Sequence, residues 1–93
     1  MAINFQIIYQ SEVVKIDIPA IPKKLKETIK TAIEERLTFE PEKFGKPLRK
    51  SLAGYRKLRV GNFRIIFRID KNQVKIFAIQ NRKVVYQNIQ NRI

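Results

Sequence analysis

Cysteine and histidine are both absent from the 93 residues. Without cysteine there is no disulfide, no iron–sulfur cluster and no thiol nucleophile, and a disulfide-stapled secreted scaffold is excluded. Without histidine the commonest general base and the commonest zinc ligand are missing, and no metal or other cofactor site is expected. Apolar runs stay short, as in Ile65-Ile66-Phe67, far below the ~20 residues of a membrane helix. The start, Met1-Ala2-Ile3-Asn4, lacks the plan of a signal peptide, so the expected address is the cytoplasm and no membrane partner is expected. No stretch is Gly/Ser-rich, low-complexity or repeated. Residues 1–93 therefore read as one domain, long enough to hide roughly 60–70 % of the unfolded chain's surface.

Acidic residues are also scarce where they matter. Twenty Lys and Arg stand against eight Asp and Glu, a net charge of +12. Residues 1–42 carry six basic and seven acidic residues, a net −1, whereas residues 43–93 carry fourteen basic residues against Asp70 alone, a net +13. A solvated surface mixes both signs, so charge sorted this way speaks of an anionic partner. The seven acids of the first half mostly fall at helix-surface positions and read as solvated.

The segment from Ile3 to Tyr9 is β-branched and aromatic and reads as a strand. Ser11 suits the cap of a short helical turn through Asp17, ended by Pro19. Pro22 suits the first turn of a helix, along which Leu25, Ile29, Ala32, Ile33 and Leu37 recur at helical spacing. Pro41, Gly45 and Pro47 then break the chain into a basic loop from Lys43 to Gly54.

Two strand-like runs, Tyr55 to Val60 and Phe63 to Ile69, flank Gly61-Asn62. A two-residue loop with Gly first favours a primed turn, and that turn fixes the register. Val60 faces Phe63, Arg59 faces Arg64, Leu58 faces Ile65, Lys57 faces Ile66 and Tyr55 faces Arg68. Alternation puts Leu58, Val60, Phe63, Ile65, Phe67 and Ile69 on one face with Arg56, and Tyr55, Lys57, Arg59, Arg64, Ile66 and Arg68 on the other. A third strand, Val74 to Ile79, follows a tip at Lys71-Asn72; it adds Val74, Ile76 and Ala78 to the apolar face and Lys75, Phe77 and Ile79 to the basic one. The expected fold is α+β: a small twisted antiparallel sheet of about four strands, with N-terminal helices on one face and the first strand at an edge. The tail, with Val85, Ile89 and Ile93 at four-residue spacing, reads as a short helix.

Facing arginines destabilise a sheet by a fraction of a kcal/mol to about 1 kcal/mol. Four cations on one face, interleaved with Tyr55, Phe77 and Ile66, suit a polyanion that also offers flat bases. In the tail, Arg82 and Tyr86 lie one helical turn apart if the helix begins at Arg82. Tyr86 reads equally well as an anchor of the tail on the body.

The run Lys46-Pro47-Leu48, Ser51 to Phe67, then Ile76 to Tyr86 resembles the RelE/ParE toxin superfamily, and the likeness extends over essentially the whole chain. RelE-like toxins are ribosome-dependent endoribonucleases that cut mRNA in the ribosomal A site and are silenced by a cognate antitoxin; ParE-like toxins poison DNA gyrase. The RelE resemblance implies that Lys57 and Arg59 hold the cleaved phosphate and its neighbourhood and that Arg64 contacts the scissile phosphate. It also implies that Arg82 serves as the arginine after the last strand, and that Tyr86 stacks on or deprotonates the substrate nucleotide. Lys46, Arg49, Lys50, Arg68, Lys75 and Lys83 are the accompanying candidate RNA-binding residues. Many relatives carry Gly-His before the Arg82 position, where this chain has Gln80-Asn81.

RNA brings its own nucleophile, the 2′-hydroxyl, so a protein needs mainly to orient it and to stabilise charge on the phosphate. Without histidine, Tyr86 is the candidate base and Lys57, crowded by Arg59 and Arg64, the candidate proton donor. Such equipment predicts a poor nuclease on naked RNA and a need for the ribosome. The alternatives are a ParE-like gyrase inhibitor and a non-catalytic basic nucleic-acid-binding module.

Overall fold

A computed structural model of the chain describes residues 4–93; Ile3, read as the start of the first strand, and Met1-Ala2 lie outside the described residues. A five-stranded sheet carries the fold, in the order β1-β5-β4-β3-β2. The strands are β1 (Gln6–Tyr9), β2 (Lys46–Pro47), β3 (Arg56–Val60), β4 (Phe63–Asp70) and β5 (Gln73–Asn81). Strands β2 to β5 pair antiparallel, and β1 joins β5 in parallel at the edge. The sheet is thus mixed, with one strand more than the sequence indicates. The additional strand, β2, comes from the segment read as a loop; a proline is tolerated there because β2 is an edge. A parallel pair needs a long crossover, and the helices between β1 and β2 supply it.

The β3–β4 hairpin has the expected register, from Val60 opposite Phe63 to Arg56 opposite Phe67. Gly61 takes φ +58°, which the first position of this primed turn requires. The next tip is Lys71-Asn72 as expected, between the paired Asp70 and Gln73.

After β1 comes one turn of π-helix, Val13–Asp17, closed by a hydrogen bond from the Ile18 amide to the Val13 carbonyl. It runs on into α1 (Ile18–Ala20), so Pro19 does not end the turn but sits early in a continuing one, where its missing amide is harmless. Helix α2 (Lys23–Leu37) starts directly after Pro22 and buries Ile29, Ala32, Ile33 and Leu37, one apolar stripe. Leu25, expected on that stripe, is 38 % exposed, because it lies a turn beyond the edge of the packed face. Helix α3 (Pro41–Phe44), β2 and a 3₁₀ turn at Lys50–Leu52 occupy the segment expected as a loop.

Two apolar clusters sandwich the sheet. The first joins Ile29, Ile33 and Leu37 of α2 to Leu58, Ile65, Phe67, Val74, Ile76 and Ile79. The second joins Leu52, Ile66 and Ala78 to Val85 and Ile89 of the tail helix α4 (Val85–Ile89). The face expected to be openly basic is therefore partly roofed by the tail. Ala78 and Ile79 also exchange the faces expected of them. Ile66 pairs with Ala78 but Phe67 with Ile76, so Phe77 is an extra residue in β5. A bulge moves the strand beyond it by one residue, and a one-residue slip turns each side chain to the other face. Ile93 is 44 % exposed, since α4 stops at Ile89.

Candidate nucleic-acid interface

Ile66, Ala78, Val85 and Ile89 form an apolar floor beneath partly buried Tyr55, Phe77 and Tyr86. The Tyr55 and Phe77 rings meet edge-on, with centroids 5.2 Å apart at 83°. The Arg68 guanidinium lies 5.6 Å from the Tyr55 centroid and 5.7 Å from that of Phe77. The Lys57 ammonium lies 5.8 Å from the Tyr86 centroid. Each cation thus rests on an aromatic ring, a contact worth about 0.5–1 kcal/mol at exposed sites. The stems cover apolar surface while the charged heads keep access to solvent.

The other predicted residues fall into three places. Lys46 pairs with Lys57 across β2 and β3, and Arg49 and Lys50 follow, exposed, in the turn beyond. Lys75 pairs with Arg68 at the far end of the sheet and donates to Asp70 Oδ2 at 3.1 Å. That hydrogen bond, helped by the charges of Lys75, Arg68 and Lys71, lowers the Asp70 carboxyl below its ordinary range. At the Gly61-Asn62 end, Arg59 faces Arg64 and Arg82 comes close by chain, its amide donating to the Asn62 carbonyl at 2.8 Å. Arg82 lies in the turn before α4, not on the helix, because α4 begins at Val85; the expected one-turn spacing to Tyr86 does not occur. Lys83 is exposed beside it, its amide bound to Asn81 Oδ1.

Arg64 behaves differently from its neighbours. It is 8 % exposed. Its Nη1 donates to the Gly61 carbonyl at 3.0 Å and the Phe63 carbonyl at 2.9 Å. The unfavourable pairing with Arg59 is resolved by bonding Arg64 to its own turn, leaving Arg59 exposed. Arg56, the polar intruder on the apolar face, donates to the Gly45 carbonyl at 3.0 Å.

One pair escaped the sequence reading. Asp17, read as a solvated acid, is 2 % exposed and forms a two-point ion pair with Arg92, Nη1 to Oδ2 at 2.7 Å and Nη2 to Oδ1 at 2.8 Å. The bond to Asp17, more than anything else, raises the Arg92 pKa. The available signals were an aspartate between isoleucines, Ile16-Asp17-Ile18, and a lone charged residue in the last ten. Among the described residues no group of three or more acidic, histidine or cysteine side chains could hold a metal ion, and no helix is long and apolar enough to cross a membrane.

The model of the family described as ParE toxin of type II toxin–antitoxin systems matches residues 5–86. Toxin RelG of Mycobacterium tuberculosis is 32 % identical over 73 residues, spanning 76 % of this chain and 84 % of that protein. Among solved structures, the toxin–antitoxin complex RelBE2 of the same organism superposes with a TM-score of 0.80 at 27 % identity, covering 86 % of this chain and 93 % of the other. The RelB–RelE antitoxin–toxin complex of Methanococcus jannaschii gives 0.67 at 25 % identity, covering 85 % and 94 %.

Proposed function

The chain belongs to the RelE/ParE family of type II toxin–antitoxin toxins, and from that footing we propose that it cleaves mRNA in the ribosomal A site and so stops translation. The observation that carries this reading is the Lys57 ammonium set over the Tyr86 ring on a face whose charge is almost wholly positive. A proton donor and a phenol held together suit a phosphodiester that supplies its own nucleophile.

In the proposed reaction Tyr86 is the base: it takes the proton of the 2′-hydroxyl as that oxygen attacks the adjacent phosphorus. The P–O5′ bond breaks, and Lys57 returns a proton to the leaving 5′-oxygen. The products are a 2′,3′-cyclic phosphate and a free 5′-hydroxyl. Arg59 and Arg82, both exposed, stabilise the dianionic phosphorane, commonly the largest contribution to catalysis. Arg64, fastened to the turn, adds a preset positive charge behind them. Lys46, Arg49, Lys50, Arg68 and Lys83 hold flanking phosphates, while Lys75 is partly committed to Asp70. Tyr55 and Phe77 offer faces on which bases can stack. With neither histidine nor metal in its scheme, the site depends on the ribosome to order the substrate.

The whole chain acts as one toxin unit in this reading, in the cytoplasm where ribosomes are. Its partner is a cognate antitoxin, by analogy with the two solved complexes. A second reading, a gyrase inhibitor, is favoured by the match to the ParE model. Induced expression followed by pulse labelling separates them. The proposal expects methionine incorporation to collapse before thymidine incorporation; the reverse order, with double-strand breaks, supports the second reading.

A further inference from the structure

Helix α4 has five residues, too few to persist unaided. Val85 and Ile89 bury one side of it, but apolar contact is non-directional and does not fix where along the sheet the helix lies. Direction comes from Asp17. Strand β1 ends opposite Ile76, so the edge of β5 beyond it needs other acceptors. The Asp17 carboxylate takes the Ile79 amide at 2.9 Å and Gln80 Nε2 at 3.0 Å, besides the two Arg92 bonds. Gln80 Oε1 in turn accepts from Asn88 of α4 at 3.0 Å. Arg92 Nη1 also reaches the carbonyl of Phe77, the bulged residue, at 3.2 Å, and Arg92 Nε lies 3.4 Å from Glu12. The tail is thus gripped from both sides of Tyr86's helix by one carboxylate.

A buried ion pair is weak support for stability, since an apolar pair of similar volume commonly does as well. What it supplies is a single geometry. We propose that Asp17 and Arg92 are positioning residues, a latch that sets Tyr86 over Lys57 and so aligns the site. The inference rests on the cleavage reading for its catalytic consequence, and on geometry alone for the placement of Tyr86.

The test uses the full chain with 3-fluorotyrosine at its three tyrosines, the Tyr86 ¹⁹F line being assigned with Tyr86→Phe. The variants are Arg92→Lys, which keeps the charge and loses the fork, Asp17→Asn, and a chain ending at Gln90. The Tyr86 line is expected to move toward that of free 3-fluorotyrosine in each, while the Tyr9 line, from a ring packed on the opposite face, stays in Arg92→Lys and in the shortened chain. With unlabelled protein and programmed ribosomes, kcat is expected to fall about 10- to 100-fold, as for small misplacements in a site, with KM within about twofold. An unmoved Tyr86 line in folded variants overturns the latch, as does a moved line with unchanged kcat. If Asp17→Asn does not fold, Arg92→Lys decides. Wild-type protein that cuts nothing removes the cleavage reading alone, and the ¹⁹F line then upholds or overturns the latch.

Discussion

Removing one oxygen atom tests the assignment of Tyr86. Tyr86→Phe keeps the ring, its packing on the floor formed by Ile66, Ala78, Val85 and Ile89, and its contact with the Lys57 ammonium 5.8 Å away. Tyr86 is half-buried, so losing the hydroxyl should change stability by no more than ~0.5 kcal/mol. That corresponds to a Tm shift of about 2–4 °C at most for a domain of this size. If the phenol is the base, single-turnover cleavage on programmed ribosomes should fall ~10²- to 10⁴-fold, about 3–5 kcal/mol in the barrier. Tyr86→Ala removes the ring as well, and stacking is worth ~1–3 kcal/mol per base. The two variants therefore separate the roles. A Phe variant that cuts at the wild-type rate refutes the base; if the Ala variant then fails, the ring is a stacking platform.

Arg59→Ala and Arg64→Ala should differ although the two residues face each other. The first should leave the melting temperature within about 2 °C, as exposed substitutions do, and weaken RNA binding with a smaller salt slope by filter binding. The second should lower stability by roughly 1.5–3 kcal/mol in urea titrations, because charge-assisted bonds to two turn carbonyls are lost. Gly45→Ala should destabilise by about 1–3 kcal/mol by calorimetry, since a Cβ there collides with the Phe67 ring and lies 3.0 Å from the Pro41 carbonyl. Asp70 has a lowered carboxyl pKa, so its contribution to stability is present above the unfolded value of about 3.9 and fades as pH falls through the folded one. Carboxyl NMR titration should place Asp70 below a free aspartate, and Lys75→Met should bring it back up.

The hairpin was the most legible part of the sequence because Gly61-Asn62 is a local signal. A two-residue turn admits one register, and alternation then assigns the faces of both hairpin strands through Ile69, and of the next strand through Ile76. Legibility ended at Phe77. Nothing local in Ile76-Phe77-Ala78-Ile79 marks a bulge; the need to seat Ile79 under the helices and Ala78 under the tail decides it, and those partners are distant in sequence. The same holds for the latch, whose two ends are 75 residues apart. Strand β2 was hidden because two residues, one a proline, give no periodicity. Charge sorting located the basic face, yet it made Arg64 look equivalent to Arg59. Only the turn carbonyls within reach of Arg64 distinguish them.

The central claim, ribosome-dependent cutting, is reached most directly by mapping ends. Purified toxin is mixed with a defined mRNA, free and in a ribosome complex with a chosen codon in the A site, and new 5′ ends are read by primer extension. Cuts are expected within the A-site codon, only with ribosomes present and leaving a 5′-hydroxyl. Folded protein that leaves both samples intact, or that cuts free RNA equally well, contradicts the claim.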